Sequence, residues 1–419
     1  MKRSVAKNNR SSLTHSLLFI IFVVFVINIE AYTEPVRGVS KTTIKVGAIL
    51  DQTGPAAGDI TLPVTEAIRN HARYINETTG FLGRKLKFLV EDDRYTIPVG
   101  IAAFKKLVFK DKIFALFGPA STGEAKALFR HIEKLKLPNI TGAPDEAQVK
   151  PFKKYIFMPF NTYEDQLGVI CEYIANDLKT KNTKISFVTF DAESGKVAYT
   201  SIKRWTKFYG FKLDKEILNM GALDAASQVL SIKRKKPTQI IIHHGSPGAV
   251  ALLRDMRKFG LDIPVFGTMI SCMEDTVRMG GNSAKNYIGA HVVGSWYEDF
   301  PGLEKMREIT LKYKPGTEKP YRSKLYTLGW LIPIIFYEGI TKAGKNLNAE
   351  KLITAWENIK NLNTNGISGP VSFSSTSHKG IHFTKLYKTD PQANRLVQLT
   401  DWRRTPSIKS ETYVRSNTD

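Results

Sequence analysis

The sequence predicts an α/β protein made of two doubly wound parallel-sheet lobes, joined by three crossover segments around a ligand cleft. Short apolar runs alternate with helical patterns, which indicates parallel sheets covered by helices on both faces. The alternation forms two series, of which the first begins near residue 43 and the second near Tyr155. The length of 419 residues is sufficient for two sizeable domains.

The first series opens with a strand, a loop and a helix. Residues 43–50 alternate and then become apolar, and residues 64–77 place apolar side chains at helical spacing before Gly80. The same unit then repeats. We predict strands over 86–90, 113–117 and 138–140, and helices over 100–109 and 124–135.

The second series and the segments after it follow the same logic. In the second series we predict strands over 185–190, 240–242, 265–267 and 288–293, and helices over 167–178, 196–208 and 250–259. Three long helical patterns come next, over 303–313, 325–343 and 349–359. Pro333 predicts a kink in the middle one. Two final strands are predicted over 383–387 and 396–399.

The two series predict interleaved lobes. The N-terminal lobe is expected to comprise residues 43–160 and 294–382. The C-terminal lobe is expected to comprise residues 161–293 and 383–402. Residues 403–419 are predicted to form a polar tail.

The N-terminus has the layout of a signal peptide. A basic start precedes an apolar run over 17–29, and Ala31 offers a small residue for cleavage. The run is shorter than the roughly 20 residues of a membrane span. We predict a signal peptide over 1–31, with an uncleaved N-terminal anchor as the alternative because Ile29 is bulky for a cleavage site.

Composition excludes several classes of protein. Hydrophobic residues at 42% and charged residues at 24% argue against a disordered chain, a collagen-like chain and a multi-span membrane protein. Cys171 and Cys272 are too few for a disulfide-rich scaffold or a four-thiolate zinc site. They form either one bridge or two buried apolar side chains.

The net charge of +22 produces a positive field around the whole protein, which favours an anionic solute or an anionic membrane face. The basic run 233–236 follows a predicted helix, where cations complement the helix dipole. Aromatic residues are not interleaved with it, so no nucleic-acid partner is predicted. Binding to an anionic surface through charge alone remains an alternative.

The loop after the third strand is the sharpest local signal. Gly118 and Gly123 allow close backbone approach, and Ser121 and Thr122 precede a helix whose free N–H groups suit a carboxylate or phosphate. A plain helix cap is the alternative. The next strand ends in residues 141–145, which offer the same possibility.

Other candidates carry weaker signals. No nucleotide-binding, hydrolase-elbow or zinc-protease motif occurs in the sequence. His243 and His244 end a strand and face opposite ways, so we predict that only His244, with Gly245, lines the cleft. No third ligand is close to them in sequence, so no metal site is predicted. Asp92 and Asp93 are predicted to cap a turn, with acid/base catalysis as the alternative.

Trp296 and Tyr297 follow the strand that leads out of the second series. An aromatic pair at a cleft rim can stack on a ligand, and it can equally pack between lobes. Both roles remain open from the sequence.

These features together resemble the Leu/Ile/Val (branched-chain amino acid) type of periplasmic substrate-binding proteins of ABC transporters, which have the type I periplasmic binding fold. The resemblance covers roughly residues 43–402 and rests on the order and spacing of several segments. They are Ile44-Lys45-Val46-Gly47 with Thr53-Gly54-Pro55, Val90-Glu91-Asp92-Asp93 with Pro98, Phe117-Gly118-Pro119-Ala120-Ser121-Thr122, and Leu252-Leu253-Arg254 with Phe259-Gly260-Leu261.

The resemblance implies a periplasmic, monomeric protein that closes two lobes on a small-molecule solute and delivers it to an inner-membrane ABC permease. It implies no enzyme activity and no cofactor. The ligand carboxylate is then expected at Ser121 and Thr122 and at the segment Ala143, Pro144 and Asp145.

Departures from the family pattern leave the ligand open. Met269 stands where amino-acid binders place an acidic residue, and Ser194 stands where a tyrosine is usual. Asp145 is a candidate for the missing negative charge. An amino acid, an aromatic or aliphatic acid and an amide are all compatible. A ligand-sensing receptor, or an extracytoplasmic enzyme that uses Asp92, Asp93 or His244, is the alternative function.

Overall fold

A computed structural model describes Met1, residues 35–315 and residues 322–408. The elements reported below belong to the unit of the chain that begins at Arg37. Apart from Met1, the predicted signal peptide lies outside the described residues, and so does the end of the predicted tail from residue 409 onward.

Strands and helices alternate along most of the chain, as predicted. The strands are β1 (Thr43–Ile49), β2 (Lys85–Glu91), β3 (Ala115–Phe117), β4 (Asn139–Ile140), β5 (Ile156–Phe157), β6 (Lys184–Thr189), β7 (Lys212–Ile217), β8 (Gln239–Ile242), β9 (Val265–Gly267), β10 (Ile288–His291), β11 (Phe383–Asp390), β12 (Arg395–Gln398) and β13 (Arg403–Arg404). The helices are α1 (Leu62–Glu77), α2 (Ile97–Lys105), α3 (Thr122–Lys134), α4 (Tyr163–Glu172), α5 (Glu193–Tyr209), α6 (Ala226–Lys235), α7 (Ser246–Lys258), α8 (Glu274–Gly280), α9 (Pro301–Tyr313), α10 (Lys324–Ala343) and α11 (Ala349–Glu357).

The first sheet has five parallel strands in the order β2-β1-β3-β4-β5. Val46 of β1 lies opposite both Phe88 and Ala115, so β1 is an interior strand. The last four residues of β1 are buried, as expected for a parallel sheet with both faces covered. Helices α9 and α10 pack against α1, and α11 packs against α10.

The second sheet has the order β12-β11-β10-β9-β8-β6-β7, and β13 pairs with β11. The strands from β6 to β10 run parallel, whereas β11 is antiparallel to both of its neighbours in this order. Strand β8 lies in the interior of this sheet, and all four of its residues are buried. The chain passes between the sheets three times, after β5, after β10 and before β11.

Several elements differ from the sequence expectation. The predicted helix over 100–109 is α2 followed by a π-helical turn over Lys106–Lys110, and α4 continues likewise into Tyr173–Asp177. Helix α10 runs through Pro333. The sequence pattern did not predict the limits of β7, because this strand lies at a sheet edge and four of its six residues are charged. Within the predicted polar tail, Arg403–Arg404 forms β13.

Both cysteines are free and buried, which excludes the bridge and leaves the alternative of two apolar side chains. The basic run 233–236 closes α6, as predicted. There Lys235 contacts Glu216 and Asp214, with N–O distances of 2.6 and 3.2 Å. Among the described residues, no helix combines the length and apolar character that crossing a membrane requires.

Candidate functional site

A mainly apolar cavity of about 220 Å³ lies where loops after the strands of both sheets meet. This is the edge at which open α/β sheets bind ligands. The first sheet contributes Phe117 and Gly142, and the second contributes Phe190 and His244. Its polar lining residues are Asp59, Thr61, Tyr95, Thr122, Tyr163, Ser194 and His244.

Three helices begin at this cavity. Thr122 starts α3, Ser194 lies in the first turn of α5, and Gly245 immediately precedes α7, and all three residues line the cavity. Helix N-termini carry partial positive charge and free N–H groups. Among the described residues, the lining contains no Lys or Arg. The positive potential at the cavity therefore comes from the backbone N–H groups at the helix N-termini.

An acidic side chain in the first turn of α3 does not cancel this potential. Glu124 is buried, and its burial and a hydrogen bond with Asp93 raise its pKa to about 10. Glu124 is therefore neutral at pH 7. Asp93 in turn accepts a hydrogen bond from the Tyr95 backbone N–H, at 2.9 Å. The predicted capping role of Asp93 is confirmed.

Asp92, the residue before Asp93, has a similar role. Its carboxylate accepts hydrogen bonds from the backbone N–H groups of Gln52 and Arg94, at 2.8 and 3.0 Å, and from the hydroxyl of Thr53 at 2.6 Å. These bonds tie the loop after β1 to the end of β2. The predicted cap is confirmed for Asp92 as well.

Ser121 lies beside the lining. Its hydroxyl accepts a hydrogen bond from the Glu124 backbone N–H at 3.5 Å and so caps α3. Thr122 faces the cavity. The structure therefore separates the two residues: one shapes the loop, and the other reaches the space where a solute fits.

The segment after β4 is similarly divided. Pro144 lines the cavity, whereas Ala143 is buried beside it. Asp145 lies outside the lining, where its carboxylate contacts Lys126 Nζ at 2.9 Å and accepts a hydrogen bond from the Ala147 N–H at 3.1 Å. Asp145 is thus already paired with a cation.

The residues from the second sheet follow the strand alternation. His244 lines the cavity, and its Nε2 lies 3.2 Å from the Leu218 carbonyl oxygen. His243 points into the core, where its Nδ1 lies 2.9 Å from the Thr268 hydroxyl. Burial lowers the pKa of both imidazoles, that of His243 to about 3.

Met269 lines the cavity, and its backbone N–H donates to Gln166 Oε1 at 3.0 Å. Trp296 and Tyr297 do not line it. The Trp296 ring is buried, and its centre lies 6.3 Å from that of the Tyr326 ring. Trp296 therefore packs in the protein and does not stack on a ligand in this cavity.

Sequence reasoning missed Asp59. This carboxylate, which follows β1, accepts a hydrogen bond at 2.9 Å from the Ser246 N–H, the first of α7. It thereby supplies the side-chain cap that Gly245 lacks. Burial raises the pKa of Asp59 to about 6, against the lowering effect of the Ser246 bond, and Asp275 adds a smaller increase.

The acidic character of the loop was the one available signal, because the partner of Asp59 is 187 residues away. The tyrosines Tyr95 and Tyr163 were missed as well. Both line the cavity, and burial raises the pKa of each.

Comparisons with known proteins agree with this fold. The family model described as periplasmic binding protein matches residues 43–394. A branched chain amino acid ABC transporter structure from Thermus thermophilus with bound valine is 21% identical, with a TM-score of 0.81, and the match covers 87% of this chain and 97% of that chain.

Two further solved structures are similar. A fatty acid ABC transporter substrate-binding protein from Thermomonospora curvata has 21% identity and a TM-score of 0.79, over 88% of this chain and 95% of that one. A branched-chain amino acid transporter substrate binding protein from Streptococcus pneumoniae, in complex with isoleucine, has 17% identity and a TM-score of 0.72, over 85% and 100%. The predicted fold class is confirmed, and the chain belongs to the periplasmic binding protein family, as an extracytoplasmic solute-binding protein.

Proposed function

We propose that the protein captures a small carboxylate-bearing solute between its two sheets and delivers it to an inner-membrane ABC permease. The observation that carries this proposal is that the N-termini of α3 and α5 meet at one mostly apolar cavity, whereas the N-terminus of α7 there is already capped by Asp59. Such a site suits a single anionic group on an apolar body. The similar structures are named for valine, isoleucine or fatty acid, all of which carry a carboxylate.

In this proposal, the predicted residues have two kinds of role. Five of them contact the solute: Thr122, Pro144, His244, Gly245 and Met269. Ser121, Ala143 and Asp145 hold the loops in place beneath it. Trp296 and Tyr297 contribute to packing near the strand exit.

The proposal extends to the organisation of the chain. The two sheets support lobes over 43–160 with 294–382 and over 161–293 with 383–402. We also propose a cleaved signal peptide over 1–31, with a periplasmic location, and a monomer without catalytic activity. The carboxylates of Asp92 and Asp93 already accept backbone hydrogen bonds, which supports binding rather than catalysis.

A thermal-shift screen with amino acids, aromatic and aliphatic acids and amides tests the proposal. A cognate solute at one hundred times its Kd should stabilise the protein by about 2.7 kcal/mol. Mass spectrometry should recover that solute unchanged. The proposal is wrong if no solute raises the midpoint, or if the solute is converted.

The double variant Ser121→Ala/Thr122→Ala tests the head site. We expect at least a tenfold loss of affinity, together with about 1 kcal/mol of lost stability from the cap. The control is Asn348→Ala, because Asn348 caps α11 through the Lys351 N–H at 2.9 Å and does not line the cavity. Equal losses of affinity in the double variant and in Asn348→Ala would mean that Ser121 and Thr122 only cap α3 and do not bind the solute.

A further inference from the structure

One end of the cavity is enclosed by two helices of the first lobe. Leu325, Leu328 and Ile332 lie on one face of α10, at i, i+3 and i+7, and Val64 and Ile68 lie on one face of α1, at i and i+4. We call this end the apolar chamber. It is completed by Leu50 and Phe117 at the ends of β1 and β3.

Helices α1 and α10, which line the apolar chamber, are in direct contact with each other at other positions along their length. A side chain at Gly329 would lie 2.6 Å from the Val64 carbonyl oxygen, so α1 and α10 already touch at this point. On the same pair of helices, the His71 and Trp330 rings stack at 4.2 Å, and His71 Nδ1 lies 2.9 Å from the Trp330 carbonyl oxygen. The helices cannot approach further to fill the chamber.

An unfilled apolar space of this kind is rare in a protein core, where voids larger than a water molecule are few. Water gains little there, because water needs two to four polar partners, whereas apolar molecules enter such cavities readily. The chamber therefore selects a hydrocarbon group.

The acidic side chains in the lining indicate which polar groups the solute can carry beside this hydrocarbon group. Among the described residues, Asp59 is the only acidic side chain in the lining, and its carboxylate already accepts the Ser246 N–H. Met269, an apolar side chain, also lines the cavity. An α-ammonium group would therefore have to share Asp59, the one carboxylate of the described lining, with the start of α7, and its burial would be poorly compensated.

We propose that the solute is an apolar monocarboxylate without an α-ammonium group, whose hydrocarbon tail fills the apolar chamber while its carboxylate lies at the helix N-termini. This inference rests on the proposed function and narrows it to one ligand class. It also assigns α1 and α10 as the elements that set the permitted tail length.

Calorimetry on the full chain with straight-chain acids from butanoate to dodecanoate, and with valine, leucine and isoleucine, tests the inference. Each methylene that enters the chamber should tighten binding about fourfold, until the tail fills it. The amino acids should bind more weakly than the acid of equal tail length. Tighter binding of an amino acid than of every straight-chain acid, or affinity independent of tail length, would overturn the inference.

Leu328→Phe narrows the chamber and should weaken the longest acids at least tenfold more than it weakens butanoate. The control is Leu62→Phe, on an exposed residue of α1 outside the lining. If Leu328→Phe does not fold, the wild-type series alone decides. Amino acids that bind more tightly than every straight-chain acid, and whose binding Ser121→Ala/Thr122→Ala weakens, would overturn the tail assignment but keep the proposed function. No binding by either class would remove both.

Discussion

Asp59 links the two lobes through a single carboxylate, so its replacement by asparagine should change how closure depends on pH. In the structure, where Asp59 accepts the Ser246 N–H, its pKa is raised from 3.8 to about 6, chiefly by burial. When the lobes separate, the side chain is hydrated and its pKa returns towards the ordinary value. Closure at pH 5 therefore takes up a proton at Asp59.

The size of the effect follows from this difference. A carboxyl group whose pKa rises by about two units costs the closed state about 3 kcal/mol when it is ionised. Above about pH 7 the full cost applies, and it falls as pH decreases through 6. The contribution of Asp59 to solute affinity should thus be constant above pH 7 and about tenfold more favourable at pH 5.

Asp59→Asn keeps an oxygen that accepts the Ser246 N–H but cannot ionise. We expect it to bind more tightly than wild type at pH 7.5, with a gain of up to about 3 kcal/mol, and the gain should shrink by about tenfold in affinity at pH 5. The ratio of the two proteins cancels titration of the solute itself. His244 does not imitate the effect, because burial lowers its pKa.

The assay is calorimetry in two buffers of different ionisation enthalpy, which counts the protons taken up on binding. Asp390→Asn is the control, because Asp390 accepts the Gln392 N–H in an exposed turn and does not line the cavity. Proton uptake that persists unchanged in Asp59→Asn would refute the reasoning, as would an affinity ratio that does not vary with pH.

Two predictions concern stability. Lys324 is fully buried and its pKa is lowered to about 8, chiefly by that burial, while Glu274 and Glu298 act in the opposite direction. Lys324→Ala removes the cation beside the buried Glu274, whereas Glu298 keeps Lys385 at 3.1 Å. The free energy of unfolding in urea should fall by about 3–5 kcal/mol, and an unchanged midpoint would contradict the ion network. A reductant should leave the melting temperature unchanged, because Cys171 and Cys272 are free; a drop on reduction would reveal a bridge.

The sequence was informative where local pattern decides structure. The apolar periodicity of α10 predicted its bounds within one residue, and the loop after β3 was recognised from its glycines and hydroxyls. It was uninformative where distant segments meet. The apolar residues that enclose the chamber have the same periodicity as core residues, so Ile68 and Leu328 are indistinguishable in sequence from side chains that fill their space.

The interleaved order of the sheets has a consequence for how the chain acquires its structure. Strand β11 is the neighbour of β10 in the second sheet, yet about ninety residues separate them. In that interval α9 and α10 pack with α1, and α11 packs with α10. A chain that emerges N-terminus first cannot complete either half until nearly all of it is available. A domain with sequential halves would fold its first half early. The late β11 therefore delays completion of the second sheet until the last strands of the chain have been synthesised.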